Sequence, residues 1–279
     1  MATSPPNPPK TMDFYDIAMN PPAAVNPWKS RLALNFKKVP YKTTWVPVPE
    51  IGTVRRALGV PACRRLADGS DFYTLPVLAD PNTGSAVGDS FDIAAYLQAT
   101  YPDSGAGDLF PPLPPQQQQL EYTYDQDLPT WAPPLTPPRE DGRHAEYARF
   151  NMHVDRAFSA HVGLMGSFLG LDSQASRDAL LRRAGAKSWD DLEVKGEARE
   201  KMVESLRGTL GGLARLFETD STGPFILGQK ASYADLVVGG WVCMMRGTLP
   251  EEEWREVVSW HGGTFGRLFD ALQQFAEVK

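Results

Sequence analysis

A proline inside an apolar run is the feature that most restricts how this chain can fold. Residues 73–91 read YTLPVLADPNTGSAVGDSF, with Pro76 inside the first apolar run. Proline is unusual within a strand because it has no N–H for the β ladder. The following PNTG is typical of a turn that joins two antiparallel strands. Asp89 and Ser90 then open an amphipathic segment, which predicts a helix that begins at this pair.

The first hundred residues alternate between strand and helix patterns. FYDIAM (14–19) predicts a strand, and the apolar spacing of Trp28, Leu32 and Phe36 predicts a helix after it. A second strand in YKTTWVPV and a short helix in GTVRRALGV follow. Together with the two strands and the helix of residues 73–102, the predicted order is βαβαββα, an α/β layer.

A change of composition separates this layer from the remainder of the chain. The stretch PDSGAGDLFPPLPPQQQQL is rich in proline, glycine and glutamine, which are poor core residues. Helical patterns dominate after it, and the segment SYADLVVGGWV carries a Ser232-x-x-Asp235 capping box. We therefore predict a disordered tail over residues 1–11, an α/β domain over 12–104, a linker over 105–119 and an all-helical domain over 120–279.

Charge and cysteine content limit the possible partners. The formal net charge of the 279 residues is -6, and Lys and Arg are scattered along the chain, so we expect no nucleic-acid partner. The two cysteines, Cys63 and Cys243, lack metal-ligand or redox spacing, so we expect no metal. Neither a signal-like segment nor a long apolar stretch is present, so we expect a cytoplasmic protein that does not bind membranes.

These features together resemble the glutathione transferase superfamily. The resemblance rests on the βαβαββα order before a helical bundle, on Leu75-Pro76, on Asp89-Ser90 and on the capping box. Residues 26–46 (NPWKSRLALNFKKVPYKTTWV) and 75–97 look most like the fungal-specific class A transferases, which are related to bacterial β-etherases. The implied fold is a thioredoxin-like N-terminal domain followed by an all-α C-terminal domain.

The resemblance also implies where glutathione binds. Pro76 would follow a cis peptide bond, and the backbone of Leu75 would pair with the cysteinyl part of glutathione. Asp89 would meet the α-ammonium group, while Ser90 and the helix N-terminus would take the γ-glutamyl carboxylate. On residue type alone, Ser90 could instead serve only as a helix cap.

The residue that activates the thiol is less regular. Where many members carry serine, this sequence has Ala24, and Asn26 is the nearby group that could donate a hydrogen bond to a thiolate. Ser30 and Tyr15 are the alternatives, although we expect Ser30 to point along the helix surface and Tyr15 to belong to the core. The start of the helix would also lower a thiol pKa. Trp28 and Lys29 are predicted to lie beside the glutathione thiol, although Trp28 could instead pack between the two domains.

Aromatic residues of the second domain are candidates for the acceptor pocket. We expect a mostly apolar pocket lined by Trp131, Tyr147, Phe150, His153 and Phe158, or alternatively these residues belong to the core of the bundle. The predicted function is a glutathione transferase that conjugates aromatic electrophiles or cleaves aryl ethers and binds plant polyphenols. One alternative is a ligandin that binds glutathione and aromatic compounds without turnover, and another is a regulatory protein that keeps the fold but has lost the site. The resemblance also implies a homodimer.

Two basic side chains are candidates for binding the glycyl end of glutathione. Arg64 or Arg65 could reach the glycyl carboxylate, and the sequence does not choose between them. The same arginines would favour a thiolate at Cys63, although an inert cysteine is the simpler interpretation.

Overall fold

A four-stranded mixed sheet forms the centre of the N-terminal half. The computed structural model describes residues 9–66, 68–114, 120–122, 135 and 141–279. Strand β1 pairs in parallel with β2 and antiparallel with β5, and β5 pairs antiparallel with β6, which gives the order β2-β1-β5-β6. Strands β3 and β4 form a separate short hairpin. The strands are β1 Met12–Ile17, β2 Tyr41–Val46, β3 Arg64–Arg65, β4 Asp71–Phe72, β5 Val77–Asp80 and β6 Ser85–Gly88.

Three helices accompany the sheet and five more follow it in the described part of the chain. They are α1 Val25–Phe36, α2 Ile51–Ala57, α3 Ser90–Thr100, α4 Ala145–Ser159, α5 Gln174–Ala184, α6 Gly196–Glu218, α7 Tyr233–Thr248 and α8 Glu251–Leu272. Helix α8 is kinked where residues 260–263 leave helical geometry. This arrangement confirms the predicted thioredoxin-like domain followed by a helical domain.

Some elements were missing from the prediction. The β3–β4 hairpin, with two residues in each strand, is too short to give an alternating pattern. Helix α5 is mostly exposed and has a weak apolar stripe, so its sequence shows little helical periodicity. The predicted domain boundaries stay predictions, because several residues around the linker lie outside the described ranges.

Helix α1 joins the two halves of the molecule, because it packs against α3 in the N-terminal half and against α7 in the C-terminal half. Of two consecutive glycines in α7, Gly240 allows this close approach and Gly239 accommodates α8. A β-carbon at Gly239 would lie 2.3 Å from Cδ1 of Leu272, and one at Gly240 would lie 2.8 Å from Cγ of Lys29 and 3.0 Å from the carbonyl oxygen of Val25. A β-carbon at Gly240 would meet both a side chain and the backbone of α1, so the spacing of α1 and α7 depends on Gly240, whereas Gly239 makes room for Leu272 of α8.

The predicted capping box at the start of α7 is present. The amide of Ser232 donates to Oδ2 of Asp235 at 2.8 Å, and the amide of Ile226 donates to Oδ1 of the same carboxylate at 2.7 Å. Asp235 is fully buried, and burial raises its pKa to about 6. The carboxyl thus satisfies amide donors at a helix start that water does not reach.

None of the helices within the described residues is both long and apolar enough to span a lipid bilayer.

Candidate functional site

The segment before β5 and the start of α3 meet at one end of the sheet. The Leu75–Pro76 peptide bond is cis, as the sequence predicted. The amide of Asp89 donates to the carbonyl oxygen of Pro76 at 3.2 Å, so the two predicted binding segments are in direct contact. Asp89 has a φ of 70° and is the N-cap of α3, which places Ser90 in the first turn of that helix.

A buried arginine that the sequence analysis missed connects these two segments. Arg55 on α2 is only 1% exposed. Its guanidinium donates to the carbonyl oxygens of Pro61 and Thr74, each at 2.7 Å, and to Oδ2 of Asp89 at 3.1 Å. Position 55 lies one helical turn after the buried Ile51, so a basic residue on an inward-facing side was the available signal.

The close fit around Arg55 requires a glycine at the end of β6. A β-carbon at Gly88 would lie 2.4 Å from Nη2 of Arg55 and 2.7 Å from Cγ1 of Val60. Any side chain at this position would have to displace the guanidinium. Gly88 therefore keeps open the space through which Arg55 reaches Asp89.

The start of α1 forms the neighbouring part of the site. Ala24 is the N-cap of this helix, and no side chain caps its free amides. The hydroxyl of Ser90 lies 3.5 Å from Oδ1 of Asn26, which brings the starts of α1 and α3 together. Two helix N-termini, each with the positive end of its dipole, thus face the same region.

A cavity of about 310 Å³ extends from this region between the two domains. From the sheet side and α1 it is lined by Ile17, Ala24, Asn26, Thr74 and Leu75, and from the helical side by Leu135, Ser159, Val162, Trp241 and Met244. The surface is largely apolar, with few polar groups, as is typical of small-molecule sites.

The sequence matches family models for the glutathione S-transferase N-terminal domain, over residues 25–100, and C-terminal domain, over residues 172–275. The chain belongs to the glutathione transferase superfamily. Among solved structures, this superfamily member is similar to a glutathione S-transferase of Ceriporiopsis subvermispora in complex with glutathione, with 29% identity, a TM-score of 0.77, and coverage of 97% of this chain and 99% of the other.

Two further relatives have comparable coverage. The glutathione transferase GSTFuA3 of Phanerochaete chrysosporium is 26% identical with a TM-score of 0.75, over 97% of this chain and 99% of that chain. The glutathione S-transferase-like protein ustS of Aspergillus flavus is 24% identical, over 95% of this chain and 91% of that protein. The similarity therefore extends over both domains of this transferase-superfamily chain.

Lys29 does not lie with the other predicted binding residues. Its ammonium group is fully buried and donates to Oδ1 of Asp155 and, at 2.9 Å, to Oδ1 of Asn151 on α4. The indole N–H of Trp241 also donates to Oδ1 of Asp155, at 2.9 Å. Burial lowers the pKa of Lys29, and the carboxylate opposes that shift. Lys29 therefore does not lie beside the thiol as predicted, because it forms an ion pair between the two domains.

Trp28 also faces away from the cavity that contains Ala24 and Asn26. Its indole N–H donates to the carbonyl oxygen of Pro22 at 2.8 Å. Its ring lines a different cavity together with Cys243. Successive residues of a helix point about 100° apart, so Asn26 and Trp28, two positions apart, point to nearly opposite sides of α1 and cannot both face one site. The expectation that Trp28 lies beside the thiol is not met.

The predicted pocket aromatics are core residues where the structure describes them. Tyr147, Phe150 and Phe158 are between 0% and 4% exposed and do not line the cavity, which corresponds to the alternative interpretation. His153 is half-buried on α4 and does not line it either. Trp131 lies outside the described residues.

The remaining basic and thiol candidates lie around the β3–β4 hairpin. Arg64 stacks over the ring of Phe72, and Arg65 pairs with Asp71 at 3.5 Å. Burial, together with the charge of Asp89, raises the pKa of Cys63 to about 11. The Cys63 thiol is therefore protonated at neutral pH, which disfavours a reactive thiolate.

Proposed function

We propose that this protein binds glutathione across the Leu75–Pro76 and Asp89–Ser90 segments and transfers its sulfur to an aromatic electrophile in the adjacent cavity. The hydrogen bond from the amide of Asp89 to the carbonyl of Pro76 carries the proposal, because it brings the two segments within reach of one tripeptide. A relative of 29% identity was solved with glutathione bound, which supports the same ligand here.

Each end of the γ-glutamyl group has a chemically suitable partner. The carboxylate of Asp89 is 38% exposed although Arg55 holds its Oδ2, so it remains accessible to the α-ammonium group of glutathione. The α-carboxylate would bind at Ser90 and the first amides of α3, where a hydroxyl and a positive dipole end stabilise an anion. The backbone of Leu75 would pair with the cysteinyl unit.

Thiolate formation would depend on the start of α1. The helix dipole and the Asn26 amide would lower the pKa of the glutathione thiol, whose proton passes to water. The thiolate then attacks an electrophilic carbon, a C–S bond forms, and the leaving group departs with its electron pair. Binding both reactants in adjacent spaces supplies the proximity that accelerates this step.

The cavity favours flat apolar acceptors. Its walls are mostly aliphatic and aromatic, which suits aromatic electrophiles and plant polyphenols. Aryl ether cleavage would follow the same chemistry with a phenolate as the leaving group. Similarity to a glutathione transferase of Phanerochaete chrysosporium supports the transferase activity. The proposed placement in the fungal class A group rests on residues 26–46 and 75–97.

A ligandin without turnover is the second candidate, and Ala24 is the observation that favours it. The side chain at this cavity position carries no hydroxyl to hydrogen bond to the sulfur. Such a protein would bind glutathione and aromatic compounds with little conjugation.

Two measurements on the purified protein separate these candidates. We expect glutathione to raise the melting temperature and the protein to conjugate at least one of several aromatic electrophiles in a steady-state assay. Stabilisation without conjugation would favour the ligandin, and no stabilisation would contradict the proposed site.

Variants of the binding segment make the test specific. Asp89→Asn is expected to weaken glutathione binding about tenfold or more, because a charge-assisted hydrogen bond to the ammonium is lost. Asp92→Asn removes an equal charge from the first turn of the same helix and is the matched control. Equal effects of the two variants would assign the loss to general electrostatics.

We also propose that the protein is a homodimer, which sedimentation equilibrium tests.

A further inference from the structure

A buried hydroxyl without a partner belongs to a residue that lines the cavity from the helical domain. Ser159 is the last residue of α4, is 7% exposed and lines the cavity. Its Oγ makes no hydrogen bond within the described part of the chain. Buried polar side chains are nearly always hydrogen-bonded, so an unpaired hydroxyl at a cavity wall indicates a group that a ligand completes.

The surroundings of Ser159 make its hydroxyl distinctive. The other helical-side residues lining the cavity are Leu135, Val162, Trp241 and Met244. The indole N–H of Trp241 is already bonded to Asp155. Among the described residues of this wall, Ser159 is therefore the side chain whose polar atom can orient a ligand.

We infer that Ser159 is a specificity-determining residue that hydrogen-bonds the phenolic oxygen of an aromatic ligand. A serine hydroxyl both donates and accepts, so it fits a phenol, which does the same. The apolar wall would hold the ring, and the hydroxyl would select ligands that carry an oxygen over equally shaped hydrocarbons. This inference rests on the proposed function only in taking the cavity as the acceptor site.

A matched pair of ligands tests it without requiring catalysis. The dissociation constants of 2-naphthol and 2-methylnaphthalene, which have similar shapes, are measured by equilibrium dialysis with the full chain. Ser159→Ala is compared with wild type and with Ser167→Ala. The Oγ of Ser167 is likewise buried and unpartnered in the described structure, but Ser167 does not line the cavity.

We expect Ser159→Ala to weaken 2-naphthol binding about 3- to 10-fold, the value of one neutral hydrogen bond, and to leave 2-methylnaphthalene binding unchanged. Ser167→Ala should change neither constant. Equal effects on both ligands, no effect on 2-naphthol, or an equal loss in Ser167→Ala would overturn the inference, as would failure of wild type to bind 2-naphthol.

Glutathione measurements keep the two proposals distinct. The melting temperature of each variant, with and without glutathione, shows whether it is folded and whether the glutathione site is intact. Selective loss of 2-naphthol binding in Ser159→Ala supports the inference even in a protein that does not bind glutathione. Conversely, a protein that binds glutathione without the naphthol selectivity contradicts only the role of Ser159.

Discussion

Replacing Arg55 with methionine tests whether one buried guanidinium holds the proposed glutathione site together. The change keeps most of the side-chain volume but removes the donors to the carbonyls of Pro61 and Thr74 and to Asp89. A buried acceptor without its donor costs about 1–3 kcal/mol, whereas an ion pair with an exposed partner contributes about 0–1 kcal/mol. Pro61 is exposed and its carbonyl can be hydrated, so we expect a total loss of about 3 kcal/mol in the free energy of unfolding.

For a chain of this size, such a loss lowers the melting temperature by roughly 6–12 °C. Glutathione affinity is then measured by calorimetry at a temperature where the variant is fully folded. We expect binding about tenfold weaker, because Asp89 and the segment before Pro76 are no longer held in position. The control is Arg56→Met, which changes the exposed neighbour on the same helix.

The proposed role of Arg55 is refuted if Arg55→Met loses stability but binds glutathione as wild type does. It is also refuted if Arg56→Met weakens glutathione binding equally. Gly88→Ala approaches the same contact from the other side, since its β-carbon would lie 2.4 Å from Nη2 of Arg55. We expect it to weaken glutathione binding in the same direction.

Three other outcomes can be measured directly. Ala24→Ser should raise the conjugation rate and lower the thiol pKa seen in its pH profile, because it supplies a hydroxyl to the sulfur; an unchanged pH profile would contradict this. Its melting temperature should rise only slightly, because Pro27 at the third helical position has no N–H for the new cap. Lys29→Met should lower the free energy of unfolding by about 3–5 kcal/mol, because Asp155 is left buried without its cation. Glutathione affinity at a temperature where the variant is folded should not change, and a large loss of affinity would restore the predicted binding role of Lys29. Burial raises the pKa of Asp235 to about 6, so between about pH 4 and pH 6 the folded state binds more protons than the unfolded state, and the contribution of Asp235 to stability falls as pH rises. Denaturant titrations should therefore show that the stability advantage of wild type over Asp235→Asn shrinks over this range, and a constant difference would contradict the burial argument.

The glutathione-binding segments could be predicted because their signals are local. The proline before β5, the turn and the Asp-Ser pair at the start of α3 are contiguous in sequence, and an antiparallel pair of strands returns the chain to its starting edge. The contact between Asp89 and Pro76 therefore follows from the order of residues 73–91. Arg55 lies on a separate helix, and its role depends on its burial. The only sign of this in the sequence is a basic residue on the inward-facing side of α2.

The direction of side chains on α1 could not be predicted from its periodicity. The helix is enclosed by the sheet and by α7, so Lys29 and Arg31 are fully buried while Trp28, on the expected apolar stripe, is only partly buried. The cavity wall was equally hidden, because α7 is apolar on all sides and its pattern does not separate Trp241 from true core residues.

Gly240 of α7 has a consequence for ligand choice. Asn26 and Trp241 belong to the two helices that Gly240 allows to approach, and both line the cavity. A methyl group at Gly240 would push α1 and α7 apart and widen the gap between those side chains. The thickness of the molecule that fits between the domains thus depends on a residue that does not line the cavity, so the range of accepted compounds can change without altering any residue that contacts them.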